Sequence, residues 1–124
     1  MIETQPNLQL SDRDFAAYLR SLNNPILIIP MAQEWFKNTG NSISEGLDTV
    51  TVVLNTAKTL EFQTQPAENA NYNLDQGTFA QYLKGLNSPE QRVSTGLEWF
   101  SRNSIGYGNA LDLTTTIFNN LPKN

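Results

Sequence analysis

An all-α fold is predicted for this chain, built as a tandem duplication of a three-helix unit packed into a pseudo-twofold six-helix assembly. Two observations predict it. A shift of sixty-four residues lays Phe15-Ala16-x-Tyr18-Leu19-x-x-Leu22-Asn23-x-Pro25 over Phe79-Ala80-x-Tyr82-Leu83-x-x-Leu86-Asn87-x-Pro89, and Glu34-Trp35-Phe36 over Glu98-Trp99-Phe100. The register runs ungapped from Leu10 through Leu47-Asp48 over Leu111-Asp112 to Asn55 over Asn119, with about 15 identities in about 49 pairs, enough to fix a repeat period. The second observation is apolar spacing. Within each copy it steps by three and four, the mark of a helical face.

The first helix of each unit is expected from about Ser11 to Leu22 and from about Asp75 to Leu86, with Phe15, Tyr18, Leu19 and Leu22 repeated as Phe79, Tyr82, Leu83 and Leu86. Ser11 followed by Asp14, and Asp75, supply caps, while Arg20 and Lys84 sit where the helix dipole favours cations. Ser88-Pro89-Glu90-Gln91 announces the second helix, which Asn24-Pro25 opens in the first copy; these helices run to about Lys37 and Arg102. Pro30 lacks a backbone donor and is expected to kink or restart the helix in the first copy alone.

The third helix contains Thr49-Val50-Thr51-Val52-Val53 and Thr114-Thr115-Thr116-Ile117-Phe118, β-branched runs over 49–54 and 113–118 that also suit a strand. Periodicity favours helix: Ile43, Leu47, Val50, Leu54, Ala57 and Tyr107, Leu111, Thr114, Phe118, Leu121 keep one stepping. Ser42 and Glu45 form a capping-box pattern ahead of it. The units divide as 1–62 and 63–124 and share one core, since each alone is near the lower size limit for independent burial. Thr4-Gln5-Pro6 recurs as Thr64-Gln65-Pro66, which places a short insertion between Ala67 and Asn73.

Composition limits the function. A net charge of -4, with eight scattered cations, gives no basic stripe for nucleic acid. With no Cys and no His, thiolate chemistry, disulfides, the common zinc ligands and the usual neutral-pH acid–base group are missing, so no cofactor and no metal is expected. Met1-Ile2-Glu3-Thr4 leads into no apolar run, and the longest apolar stretch, 25–32, is too short for a membrane span. The expected setting is cytoplasmic.

Function is sought where the copies differ. Pro25-Ile26-Leu27-Ile28-Ile29-Pro30-Met31-Ala32 aligns with Pro89-Glu90-Gln91-Arg92-Val93-Ser94-Thr95-Gly96, so the first copy is apolar where the second is polar. Burying each such side chain is worth about 1.5–3 kcal/mol, enough to hold an interface. Ile26, Leu27, Ile28, Met31 and Trp35 are therefore the candidate contact residues, facing the other repeat, a second copy in a homodimer, or a protein partner. The expected role is a non-catalytic interaction or regulatory module.

Two alternatives use other residues. An apolar small molecule could bind between amphipathic helices. A carboxylate-dependent enzyme would need Glu34 to meet Glu98, or Asp48 to meet Asp112, between the repeats. Gly106-Tyr107-Gly108-Asn109 has the glycines of a phosphate loop but neither a preceding strand nor a following Lys, and reads as a flexible link.

Overall fold

Apolar periodicity becomes helix in every predicted segment, and local polar side chains fix where three of the helices begin. The computed structural model describes residues 7–59 and 65–122, so the Thr4-Gln5-Pro6 lead-in and Thr64 lie outside the described residues. The described residues form α1 (Asp12–Arg20), α2 (Ile28–Thr39), α3 (Leu47–Thr59), α4 (Gln76–Lys84), α5 (Pro89–Asn103) and α6 (Leu111–Asn119). Short 3₁₀ turns at Pro25–Leu27 and Tyr107–Asn109 precede α2 and α6, and no strand occurs among the described residues.

The caps are short-range hydrogen bonds. Ser11 Oγ accepts the Asp14 N–H at 3.3 Å, Asp75 Oδ1 that of Thr78 at 2.8 Å, and Ser88 Oγ that of Gln91 at 3.2 Å. Asn24 Oδ1 accepts from the Ile26 N–H at 3.1 Å, which caps the 3₁₀ turn and not α2. Pro30 explains the offset: it is the third residue of α2, inside the first turn, where its missing N–H leaves no intrahelical bond unmade. With Ser94 at the matching place, α5 runs unbroken for 15 residues.

The β-branched runs are helical. Thr51, Thr56, Thr59 and Thr116 each donate their hydroxyl to the carbonyl four residues back at 2.8–2.9 Å, so a polar β-branched side chain is satisfied without leaving the helix. The Ser42–Glu45 box forms in both directions, at 2.8 and 3.2 Å, but closes a turn over 43–46; α3 begins only at Leu47. Its first turn is capped from afar. Asp12 on α1 accepts the Asp48 and Thr49 N–H groups at 3.0 and 2.8 Å, and the Thr49 hydroxyl donates to the Asp12 carbonyl at 3.2 Å. Gln76 on α4 does the equivalent for α6, accepting the Leu113 N–H at 3.1 Å.

Helices α1 and α2 pack on α3, and α4 and α5 on α6. At the seam, α3 meets α5 and the Tyr107–Asn109 turn, and the Phe36 and Phe118 rings meet edge to face at 5.0 Å. Trp35 and Trp99 anchor the two halves alike: each indole N–H donates to the carbonyl of a residue just ahead of the first helix, Leu10 at 3.0 Å and Leu74 at 2.9 Å. Asn7 and Asn71 also turn the chain in the same way, their Oδ1 atoms each accepting the N–H two residues on at 3.0 Å.

Two predictions arise from these termini. Gly40 and Ser104 end α2 and α5 in the left-handed conformation, with φ of 71° and 53°. That region disfavours a Cβ, so Ser104→Gly is expected to stabilise the fold by about 0.5–1 kcal/mol, seen as a higher urea midpoint at unchanged slope. The Thr78 side chain and N–H hold the Asp75 carboxyl below its ordinary pKa, and the Ser42 N–H and hydroxyl do the same for Glu45. Such groups stabilise the fold above the unfolded carboxylate pKa, and the contribution is lost as pH falls through the lowered folded value. Melting temperatures measured from neutral pH into the acid range should fall with this dependence, and Asp75→Asn should flatten it.

Candidate functional site

The 3₁₀ turn at Pro25–Leu27 is the place where apolar side chains stand free. Ile26 is 67% exposed and Leu27 41%, the most open large apolar residues together with Ile105 among the described residues. Having Pro at its first position and Asn24 as its cap, the turn holds Ile26 and Leu27 ahead of α2 as a ledge. Beside it runs a groove of about 310 Å³ between α1, the turn and α3.

The floor of this groove is Ile28, Val52 and Thr56, all buried. Its far wall is Thr51, Asn55 and Thr59, spaced by four along α3, which places them on one side of the helix over about 12 Å. Among the described residues Arg20 is the only charged one of the lining, and Pro25 belongs to both ledge and groove. The groove lined by residues about sixty-four positions further on is different in chemistry. Lys84, Thr115 and Asn119 replace Arg20, Thr51 and Asn55, and Asp112 and Asn120 add a carboxylate and an amide to the lining.

The five predicted contact residues divide. Ile26 and Leu27 are on the surface. Ile28 is 7% exposed and Trp35 0%, so both are corrected to core positions within this chain; Trp35 stacks on Phe15 at 5.4 Å with its N–H already bonded. Met31 is half-buried, its sulfur 3.8 Å from the Tyr18 hydroxyl. The inference that position 28 need not be buried, because Arg92 stands at position 92, fails for a specific reason. Arg92 sits inward too, donating to the Leu86 carbonyl at 2.9 Å, to Asn120 Oδ1 at 3.1 Å and to the Lys84 carbonyl at 3.3 Å. The aligned positions are filled by a buried apolar side chain at 28 and by a half-buried guanidinium at 92 that donates to three acceptors.

No protein-family model, curated protein or solved structure matches the chain. Its residues alone carry the functional argument.

The recurring acids are found in separate local roles. Glu98 pairs with Arg102 at 2.8 Å, and the guanidinium of Arg102 lies 4.4 Å from the Tyr72 ring centre. Asp112 accepts from Gln76 Nε2 at 3.3 Å, while Glu34 and Asp48 are exposed. Among the described residues no cluster of three or more acids could hold a metal ion. No helix of the described residues is long and apolar enough to cross a membrane.

The glycine-containing link is corrected from flexible to packed. Tyr107–Asn109 forms its 3₁₀ turn against α3, the Tyr107 hydroxyl donates to Asn55 Oδ1 at 3.3 Å, and a Cβ on Gly108 would lie 2.7 Å from Leu47 Cδ2. Burial also raises the Tyr107 pKa above its ordinary value. The groove wall of Thr51, Asn55 and Thr59 escaped sequence reading. Its spacing of four is the signal that could have found it.

Proposed function

We propose that the protein is a non-catalytic, cytoplasmic interaction module made of two copies of a three-helix unit, over 1–62 and 63–124, packed about an approximate twofold axis. The first unit presents Ile26 and Leu27 to another protein surface, a second copy or a different chain. The duplicated reading is supported by contacts that recur sixty-four residues apart: Trp35 to Leu10 and Trp99 to Leu74, with Asp12 and Gln76 each capping the third helix of its own unit.

The single observation that carries the contact surface is the exposure of Ile26 and Leu27 on a capped, proline-started turn, where the second unit has Glu90 and Gln91. Exposed neighbouring apolar side chains held in place cost solubility without helping the fold, unless something covers them. The test follows from the alignment. A chain carrying Ile26→Glu and Leu27→Gln is expected to keep its helical circular dichroism and its melting temperature within about 2 °C, since substitutions at exposed positions change stability by under about 0.5 kcal/mol. Sedimentation velocity is expected to show association, or a partner complex, for the unaltered chain and its loss in this variant. A drop of about 10 °C instead would assign the ledge to folding and remove the proposal.

A second reading has one observation in its favour. The groove is floored by Ile28, Val52 and Thr56, with the Arg20 guanidinium the one charged group of its lining among the described residues, a form suited to a small amphiphile. Native mass spectrometry of freshly purified protein tests it, and a clean unliganded mass argues against it.

A further inference from the structure

We propose that the polar groove between α4 and α6 is a binding site for a linear zwitterion whose ammonium and carboxylate stand about 10 Å apart, the chemistry of an extended tripeptide with free ends. It is a separate site from the ledge at Ile26 and Leu27. The two helices run side by side in the same direction. At their starts Gln76 Nε2 donates to Asp112 Oδ2 at 3.3 Å and Gln76 Oε1 accepts the Leu113 N–H at 3.1 Å, while at their ends Arg92 donates to the Lys84 carbonyl at 3.3 Å and to Asn120 Oδ1 at 3.1 Å. Asp112 therefore marks one end of the groove and Lys84 the other.

Charge and length select the ligand. Among the described residues Asp112 and Lys84 are the only charged groups of the lining, and their signs are opposite. A ligand with a single charge would satisfy one end and leave the other unmatched. The rise from Gly77 to Lys84 along α4, and from Asp112 to Asn119 along α6, is about 10 Å, the span of three extended residues. Between the ends, Gln81, Thr115 and Asn119 offer amides and a hydroxyl suited to peptide groups.

Comparison with the residues sixty-four positions earlier shows how the site is opened. Asp112, Thr115 and Asn119 match Asp48, Thr51 and Asn55, yet Thr51 donates to the Leu47 carbonyl and Asn55 accepts from the Tyr107 hydroxyl, whereas the Thr115 and Asn119 side chains bond to no described residue. Gly77 stands where Arg13 does, so no side chain covers the Asp112 carboxylate, and a Cβ there would lie 3.7 Å from its Oδ2. The floor is firm. Ala80 and Thr116 are buried, Thr116 donates to the Asp112 carbonyl at 2.9 Å, and Asn120 Nδ2 donates to the Thr116 carbonyl at 2.7 Å. At about 410 Å³ the groove is within the range of small-ligand sites, and a ligand the size of triglycine is expected to bind with a Kd on the order of 1 mM.

The test follows backbone amide chemical shifts of the full chain as triglycine, N-acetyl-triglycine, triglycine amide or glycine is added to about 20 mM. Triglycine is expected to shift the amides of Gly77, Gln81 and Thr115, each blocked peptide to bind about tenfold more weakly, and glycine, too short to reach both ends, to bind no better than they do. Asp112→Asn should erase the difference between triglycine and its acetylated form, and Lys84→Gln that between triglycine and its amide; the same spectra show that each variant is folded. Gly77→Arg, which supplies the side chain present at Arg13, should abolish binding. The chain with Ile26→Glu and Leu27→Gln should bind triglycine unchanged, so the ledge and the groove succeed or fail separately. No shift up to about 20 mM, equal binding of free and blocked peptides, or a preference for free ends that survives both charge substitutions overturns the proposal.

Discussion

Gly96→Ala is expected to destabilise the fold by about 1–3 kcal/mol, and Ile117→Val in the same chain, which removes one of the two closest atoms, to return part of that loss. A Cβ at position 96 would lie 2.5 Å from Ile117 Cγ1, 2.6 Å from its Cδ1 and 3.1 Å from Leu83 Cδ1, all in a fully buried layer between α5, α6 and α4. Alanine in place of glycine would otherwise favour the helix by about 1 kcal/mol, so the steric term has to exceed that gain. Sixty-four residues earlier the sequence divides the volume differently. Ala32 and Val53 align with Gly96 and Ile117, so the methyl present on Ala32 and absent from Gly96 is offset by the methylene that Ile117 has and Val53 lacks. Ile117→Val alone removes about 0.5–1.5 kcal/mol. Urea unfolding of the two single variants and the double variant measures the coupling. Two losses that simply add would mean that the positions do not share one space.

Asp12→Ala is expected to lower stability by about 2 kcal/mol, more than a capping residue usually provides. Its carboxylate accepts two N–H groups at the start of α3 and its carbonyl a third donor, so truncation uncaps a helix that is distant in sequence. Asp12→Asn keeps one acceptor oxygen and is expected to lose less than half as much. Hydrogen exchange locates the effect: the Asp48 and Thr49 amides should become the least protected of α3, while those of α6, capped by Gln76, stay unchanged. Uniform loss of protection in both helices would mean that the bond is global in its effect and not a cap.

The helices were legible because their evidence is local. Phe15, Tyr18 and Leu19, and Ser88 ahead of Pro89, all lie within a few residues of what they determine. The cap of α3 was not legible, since Ser42 and Glu45 provide a complete local box and nothing nearby marks Asp12, thirty-six residues away from Asp48, as the residue that closes the helix. Side-chain polarity also misled at position 28. A polar residue at the aligned place suggested an open face, yet Arg92 is long enough to carry its charge to three acceptors from an inward-facing start. Of the five contact candidates, Ile26 and Leu27 reach the surface because a 3₁₀ turn precedes α2; a helix expected to open at Asn24-Pro25, with its break at Pro30, gave no reason to separate them from Ile28. The groove wall was hidden inside a run read mainly for its β-branching.

The two indoles, each shut away from water and each tied to the stretch that leads into its own half, give the molecule a pair of native optical reporters. Replacing either by Phe would leave emission from one half alone. Comparing the two denaturation curves then tells whether the halves come apart together or in sequence, with no foreign label in the chain.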